Sequence, residues 1–189
     1  AFLLSRIRCF CFDKRQGARA DMQKFLLVTG GARSGKSLIA ETRCLDMGRP
    51  AGYIATAQAW DDEMRARIAE HQARRGPEWL TYTEPMDLLG ALRASDGKGP
   101  RLVDCLTLWL TNMMLAEADW RSAAQAMLAE LPQHKSPVVF VTNEVGLGIV
   151  PDNALARAFR DAAGTLNQWV AAAADEVILA VSGLPLKVK

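Results

Sequence analysis

The chain has 189 residues, half of them hydrophobic, which suits one α/β domain with a full-sized core. Its formal charge of +2 belongs to the beginning: residues 1–21 carry five basic against two acidic side chains, leaving 18 basic and 19 acidic in the remainder. A near-neutral body argues against a partner that is nucleic acid or an anionic membrane.

In residues 1–21 the apolar stretches are broken by Arg6 and Arg8, too short and too charged to span a bilayer, and no signal-peptide core with a small-residue cleavage site stands out. Met22 directly precedes the first strand, so 1–21 is expected to be a disordered extension, translated or vector-derived, and 22–189 a single P-loop domain. Cys9, Cys11, Cys44 and Cys105 have neither zinc-site spacing nor the look of a disulfide framework, as in a reducing cytoplasmic compartment.

An apolar strand over 24–29 leads into Gly30, Gly31, Ala32, Arg33, Ser34, Gly35, Lys36 and Ser37, and a helix over 37–46 follows. Two glycines at this spacing, then Lys and Ser, between strand and helix, form a phosphate-cradling loop. The glycines let backbone N–H groups approach phosphate oxygens, and the helix N-terminus adds its positive dipole. Lys36 can reach the β- and γ-phosphates and the Ser37 hydroxyl can hold Mg²⁺. The chain therefore handles a nucleoside triphosphate.

Further strands are predicted over 52–56, 79–82, 101–104, 137–142 and 176–181, and helices over 61–75, 86–94, 106–117, 122–131 and 152–174. Alternating strands and helices imply a mostly parallel sheet with helices on both faces, a P-loop NTPase-type α/β fold.

Three further places could carry chemistry. Asp104 ends an apolar strand, where a carboxylate either helps to hold Mg²⁺ or only caps the next helix. In the helix from Asp61, helical spacing puts Arg67, His71, Arg74 and Arg75 on one side. Arginines around an imidazole lower its pKa, keep a nucleophilic nitrogen neutral and can hold phosphate, which suggests attack on phosphorus; a solvated surface histidine is the bland alternative. The segment 143–151, with two glycines, an amide and a carboxylate, lies past a strand's carboxyl end, where α/β sheets bind ligands, although it could be a plain connection. His134, in a polar loop, is assigned no role, and Arg157, Arg160 and Asp161 read as a salt-linked helix face.

From about residue 25 to the end, the ordered motifs resemble the bifunctional adenosylcobinamide kinase / adenosylcobinamide-phosphate guanylyltransferase family of cobalamin biosynthesis. The resemblance rests on the phosphate loop from Thr29, on Tyr53-Ile-Ala-Thr56, and on Asp61-Asp-Glu-Met64 with Arg67, Ile68 and His71. It continues through Val103-Asp-Cys-Leu-Thr107, Val141-Thr-Asn-Glu-Val-Gly-Leu-Gly-Ile-Val-Pro151, and Ala174-Asp-Glu-Val177. It implies phosphorylation of adenosylcobinamide with ATP or GTP. GMP transfer from GTP to adenosylcobinamide phosphate would follow, through a covalent GMP on His71. It also implies nucleotide contacts at Ala55, Thr56, Ala57, Gln72, Ala73, Arg74, Arg75 and Glu84, with Lys36 catalytic, Mg²⁺ on Ser37 and Asp104, and a homotrimer. Glu84 is of the right chemistry to accept from guanine N–H groups. A simple small-molecule kinase with no guanylyl transfer, or a nucleotide-dependent switch, would share the phosphate loop but give no reason for a histidine among arginines.

Overall fold

A computed structural model describes residues 25–189. The expected disordered extension at 1–21 lies outside the described residues. The apolar run before the phosphate loop is β1 (Phe25–Gly30), and the loop delivers the chain into α1 (Lys36–Met47). There follow β2 (Ala51–Ala55), α2 (Asp62–Ala73), β3 (Trp79–Thr83), α3 (Leu88–Ser95), β4 (Arg101–Asp104) and α4 (Leu106–Leu115). The chain continues with α5 (Trp120–Glu130), β5 (Val138–Asn143), α6 (Ala154–Ala173), β6 (Glu176–Val181) and β7 (Leu184–Lys187).

The seven strands lie in the order β3-β2-β4-β5-β1-β6-β7. All neighbours are parallel except the last pair, β6 and β7. The central strands are buried on both faces, which is why they read as continuous apolar runs rather than as alternation. One face packs Leu26, Val28, Tyr53, Leu102 and Val141 against Ala40 and Cys44 of α1. On the other, Leu27, Ile54, Val103 and Phe140 meet Leu92, Trp109, Met127 and Leu166 from α3 to α6. The register brings Gly30 beside Asn143 and Ala55 beside Asp104 at the carboxyl ends of the strands.

Capping side chains move several helix starts from where the apolar pattern put them. Asp87 accepts from Gly90 N, so α3 opens at Leu88 rather than at 86, and Asn153 accepts from Ala156 N to open α6. Asp119 accepts from Arg121 N and Ser122 N, which brings α5 forward to Trp120. β7 escaped the sequence reading because its four residues are all exposed and include Pro185, so it shows no buried period. His134 is not in an open polar loop but buried, its Nδ1 2.9 Å from a guanidinium nitrogen of the fully buried Arg101.

Candidate active site

The phosphate loop is shaped by two close approaches. A Cβ on Gly30 would lie 2.6 Å from Ser34 Oγ and 2.7 Å from the Ala180 carbonyl oxygen, so a side chain there would block the turn. Gly35 has φ of 87°, a left-handed conformation that glycine adopts without steric cost. The Lys36 ammonium folds back to donate to the Gly31 carbonyl at 3.1 Å. Burial pulls the Lys36 pKa below its ordinary value, while Cys105 and Asp104 oppose that and Arg67 adds to it. Ser37 follows Lys36 on the first turn of α1, and Gly31, Ala32 and Arg33 are exposed at the loop's tip.

Asp104 does not cap α4, whose N-cap Cys105 makes no side-chain capping bond. Instead its Oδ2 accepts from the Tyr53 hydroxyl at 2.7 Å, across the β2–β4 pair. The same oxygen lies 3.7 Å from His71 Nδ1. α2 is capped by Asp61, which accepts from Met64 N at 2.7 Å, and buries none of its own side chains fully. Polar contacts at its C-terminal end tie it to the sheet. Arg74 Nη2 lies 3.2 Å from His71 Nδ1 and 3.7 Å from Glu41 Oε1 on α1. Arg75 stacks its guanidinium 3.6 Å above the Tyr53 ring, which meets Trp79 edge-on.

Of the expected arginines, Arg74 and Arg75 gather with His71, whereas Arg67 acts on Lys36, and the group is joined by a carboxylate the spacing could not supply. His71 has its pKa lowered, first by burial; Arg74 and Arg75 push the same way and Asp104 opposes them. Glu41 is held above the ordinary carboxylate range, again chiefly by burial.

Other expected contact residues divide by exposure. Ala55 and Ala57 are half-buried at the end of β2, and Gln72 and Ala73 are exposed beside His71. Thr56 is fully buried; its hydroxyl donates to the Cys105 carbonyl and accepts from Cys105 N, both at 2.8 Å, so its side chain fixes the turn after β4. Glu84 Oε1 accepts from Met86 N and Asp87 N, both at 2.9 Å, so this oxygen is already occupied. Segment 143–151 leaves from beside the phosphate loop, with Glu144 N donating to the Gly30 carbonyl at 3.1 Å. Its Glu144 carboxylate is turned inward onto Gly146 N and Leu147 N. On α6, Arg160 pairs with Asp161 as expected, whereas Arg157 donates to the carbonyls of Pro151 and Asp152 and so holds the end of this segment.

Tyr53, Glu41 and Thr107 were missed as site residues. Thr107 accepts from Asn143 N at 2.7 Å and so ties β5 to α4. Each reads as an ordinary core or helix residue, and only a polar atom inside an apolar run would have singled out Tyr53. Five buried side-chain atoms among the described residues lack a hydrogen-bond partner; Ser34 Oγ, Glu41 Oε1, Arg75 Nη1 and Asn143 Oδ1 belong to residues that adjoin the phosphate loop or the His71 cluster, and Arg101 Nε lies at the other end of β4. Orphaned polar atoms gathered around one place fit a site that takes a polar ligand. Among the described residues no three His, Cys, Asp or Glu side chains gather to hold a metal. A Mg²⁺ beside Ser37 and Asp104 fits this donor set, because that ion habitually takes one or two protein oxygens and completes its shell with phosphate and water.

A phosphate loop between β1 and α1 of a mostly parallel sheet defines a P-loop nucleoside-triphosphate-binding protein. The chain belongs to the cobinamide kinase / cobinamide phosphate guanyltransferase family, whose model matches residues 26–188. Membership makes it a bifunctional transferase. It is 46% identical over 166 residues to the bifunctional adenosylcobalamin biosynthesis protein CobP of Pseudomonas aeruginosa, covering 86% of this chain and 96% of that protein. Identity to CobU of Salmonella typhimurium is also 46%, over 182 residues, covering 87% and 99%. Among solved structures, an ATPase of a bacterial type III secretion system superposes with a TM-score of 0.53 at 14% identity. That match covers 87% of this chain and 56% of the ATPase, and it supports the P-loop fold alone. Among the described residues no helix is long and apolar enough to cross a membrane.

Proposed function

We propose that this enzyme phosphorylates adenosylcobinamide with ATP or GTP. It then transfers GMP from GTP to adenosylcobinamide phosphate, giving adenosylcobinamide-GDP, with His71 carrying the GMP covalently between the two. The observation that supports this reading is the 3.7 Å approach of His71 Nδ1 to Asp104, the carboxylate at the end of β4 whose charge also acts on Lys36 of the phosphate loop.

Residues 30–37 cradle the triphosphate, and Lys36 leaves the Gly31 carbonyl to meet the β- and γ-phosphates. Ser37 and Asp104 hold Mg²⁺, which when bound neutralises charge on the phosphates. Arg74 and Arg75 offset charge on the departing pyrophosphate. Ala55, Thr56, Ala57, Gln72, Ala73 and Glu84 shape the nucleotide side, Thr56 through the backbone turn it anchors and Glu84 through its second carboxylate oxygen. The active assembly is a homotrimer, and the exposed Leu147, Ile149 and Val150 support the existence of a subunit contact.

The test is incubation with GTP labelled at the α-phosphate. Acid-labile, alkali-stable label is expected on the protein and is lost in His71→Ala, while phosphorylation of adenosylcobinamide persists. A protein that makes the phosphate yet retains no label would disprove the covalent transfer.

A further inference from the structure

Asn143 ends β5, and β5 lies between β4 and β1 in the sheet. Its two neighbouring strands are therefore the ones whose ends carry the site. Gly30, its partner in register on β1, opens the phosphate loop, and Asp104 ends β4 opposite Val141. Successive side chains of a strand point to opposite faces. Leu102, Val139 and Val141 pack on the α1 face, so alternation puts Asp104 and Asn143 on that face too. The main chain at Asn143 is fixed from elsewhere: its N–H donates to Thr107 Oγ1 at 2.7 Å and its carbonyl accepts from Asn167 Nδ2 at 3.2 Å. Its side-chain Oδ1, by contrast, is buried with no hydrogen-bond partner.

A buried orphan is satisfied when a ligand brings the missing group. Oδ1 can only accept, and so can the phosphate oxygens of a nucleotide, which leaves the triphosphate unable to complete it. The other reactant of the kinase half-reaction, an alcohol, brings an O–H. We infer that Asn143 is a catalytic residue of that half-reaction: Oδ1 accepts from the acceptor hydroxyl, and Nδ2 of the same planar amide donates to a γ-phosphate oxygen. One rigid group then holds nucleophile and phosphorus together. A carboxylate in this place would accept equally well but would repel the triphosphate, whereas the amide is neutral. The inference rests on the kinase reading above and gives a role to a residue which that reading leaves without one.

The amide orients the reactants and takes no proton. A lone pair of the hydroxyl oxygen forms the bond to the γ-phosphorus. The bond from that phosphorus to the bridging oxygen breaks, and the nucleoside diphosphate leaves with its electron pair. The hydroxyl proton passes to an oxygen of the transferred phosphoryl group. The products are a monoprotonated phosphate ester and the diphosphate, with atoms and charge conserved. Guanylyl transfer to His71 takes place at the α-phosphorus and involves no hydroxyl, so it has no need of this amide.

The full-length protein and its Asn143→Ala variant are compared in three measurements. With ATP and adenosylcobinamide, the variant's kcat should fall about a hundredfold while its KM for ATP stays within a few-fold of native, since the phosphate loop still binds the nucleotide. With α-labelled GTP and no corrinoid, the rate at which His71 is labelled should stay within a few-fold of native. The melting temperature should be at or above native, because the variant removes an unsatisfied buried oxygen. Asn143→Ser, which keeps a short hydrogen-bonding side chain, should recover part of the lost rate. A lowered melting temperature in both variants would assign the amide to the fold, and equal losses in the two reactions would assign it to nucleotide binding. Unchanged phosphorylation would leave it no role. Each of these outcomes overturns the inference while native kinase activity stands, whereas a native protein that makes no adenosylcobinamide phosphate would sink the kinase reading itself.

Discussion

Gly183, at the turn between β6 and β7, donates its N–H to the Ser34 carbonyl at 2.9 Å and fills the space beside Gly35. A Cβ on Gly35 would lie 2.9 Å from the Gly183 Cα, a backbone atom that cannot yield cheaply. The hairpin thus braces the phosphate loop from behind. Gly35→Ala should combine left-handed strain at φ of 87° with this clash, costing on the order of 1–3 kcal/mol. Nucleotide affinity measured by calorimetry should fall about tenfold or more. Gly183→Ala meets no atom within 4 Å and carries only the backbone strain of φ 81°, roughly 1–2 kcal/mol. Its melting temperature should drop while affinity stays within a few-fold of native.

Labelling of His71 should resist acid. Burial, aided by Arg74 and Arg75, lowers the imidazole pKa despite Asp104. The neutral nucleophile therefore persists below the usual histidine range and is lost only as pH falls through the lowered value. Single-turnover incorporation of α-label from GTP should have its acid midpoint below pH 6.5, the ordinary value. An acid limb centred at or above that pH would contradict the burial of the ring.

Cys44 and Cys105 should be inert in the folded protein. Burial raises the Cys44 thiol to about 12 and the Cys105 thiol to about 11, so almost no thiolate exists near neutrality. Iodoacetamide at pH 8, read by peptide mass spectrometry, should leave both unmodified until denaturant is added. Modification of either one under native conditions would mean that the α1 face of the sheet opens readily.

Arg101→Ala should separate stability from catalysis. Its guanidinium is completely buried, donates to the Leu92 and Ser136 carbonyls, meets His134 Nδ1, and lies 3.2 Å from Asp96. Its loss leaves the Leu92 and Ser136 carbonyls without their donor, at about 1–3 kcal/mol each, which would lower the melting temperature by roughly 2–4 °C for each kcal/mol. Because Arg101 opens β4 and Asp104 closes it, the site is at the other end of the strand. Activity per folded molecule should stay near native.

The phosphate loop, the alternation of strands and helices, and the grouping of His71 with Arg74 were all legible in the chain itself. Each depends on spacing within one segment, and such spacing survives whatever the rest of the molecule does. Asp104 was legible as a candidate, but its two possible jobs were not separable until Tyr53 was seen to occupy its Oδ2. His134 shows the opposite failure: its neighbours read as a polar loop, yet it is buried, because its ring nitrogen meets the Arg101 guanidinium from a distant part of the chain.

What the sequence determined by itself was the anion-binding loop, the class of fold, and the residue types that gather on one side of α2, all consequences of local geometry. Only the tertiary structure decided which of those groups meet. Asp104 reaches His71 from the end of β4, and Glu41 reaches Arg74 from α1. No periodicity encodes such pairings, since they arise from strand order and from the packing of separate elements over the carboxyl edge of a parallel sheet.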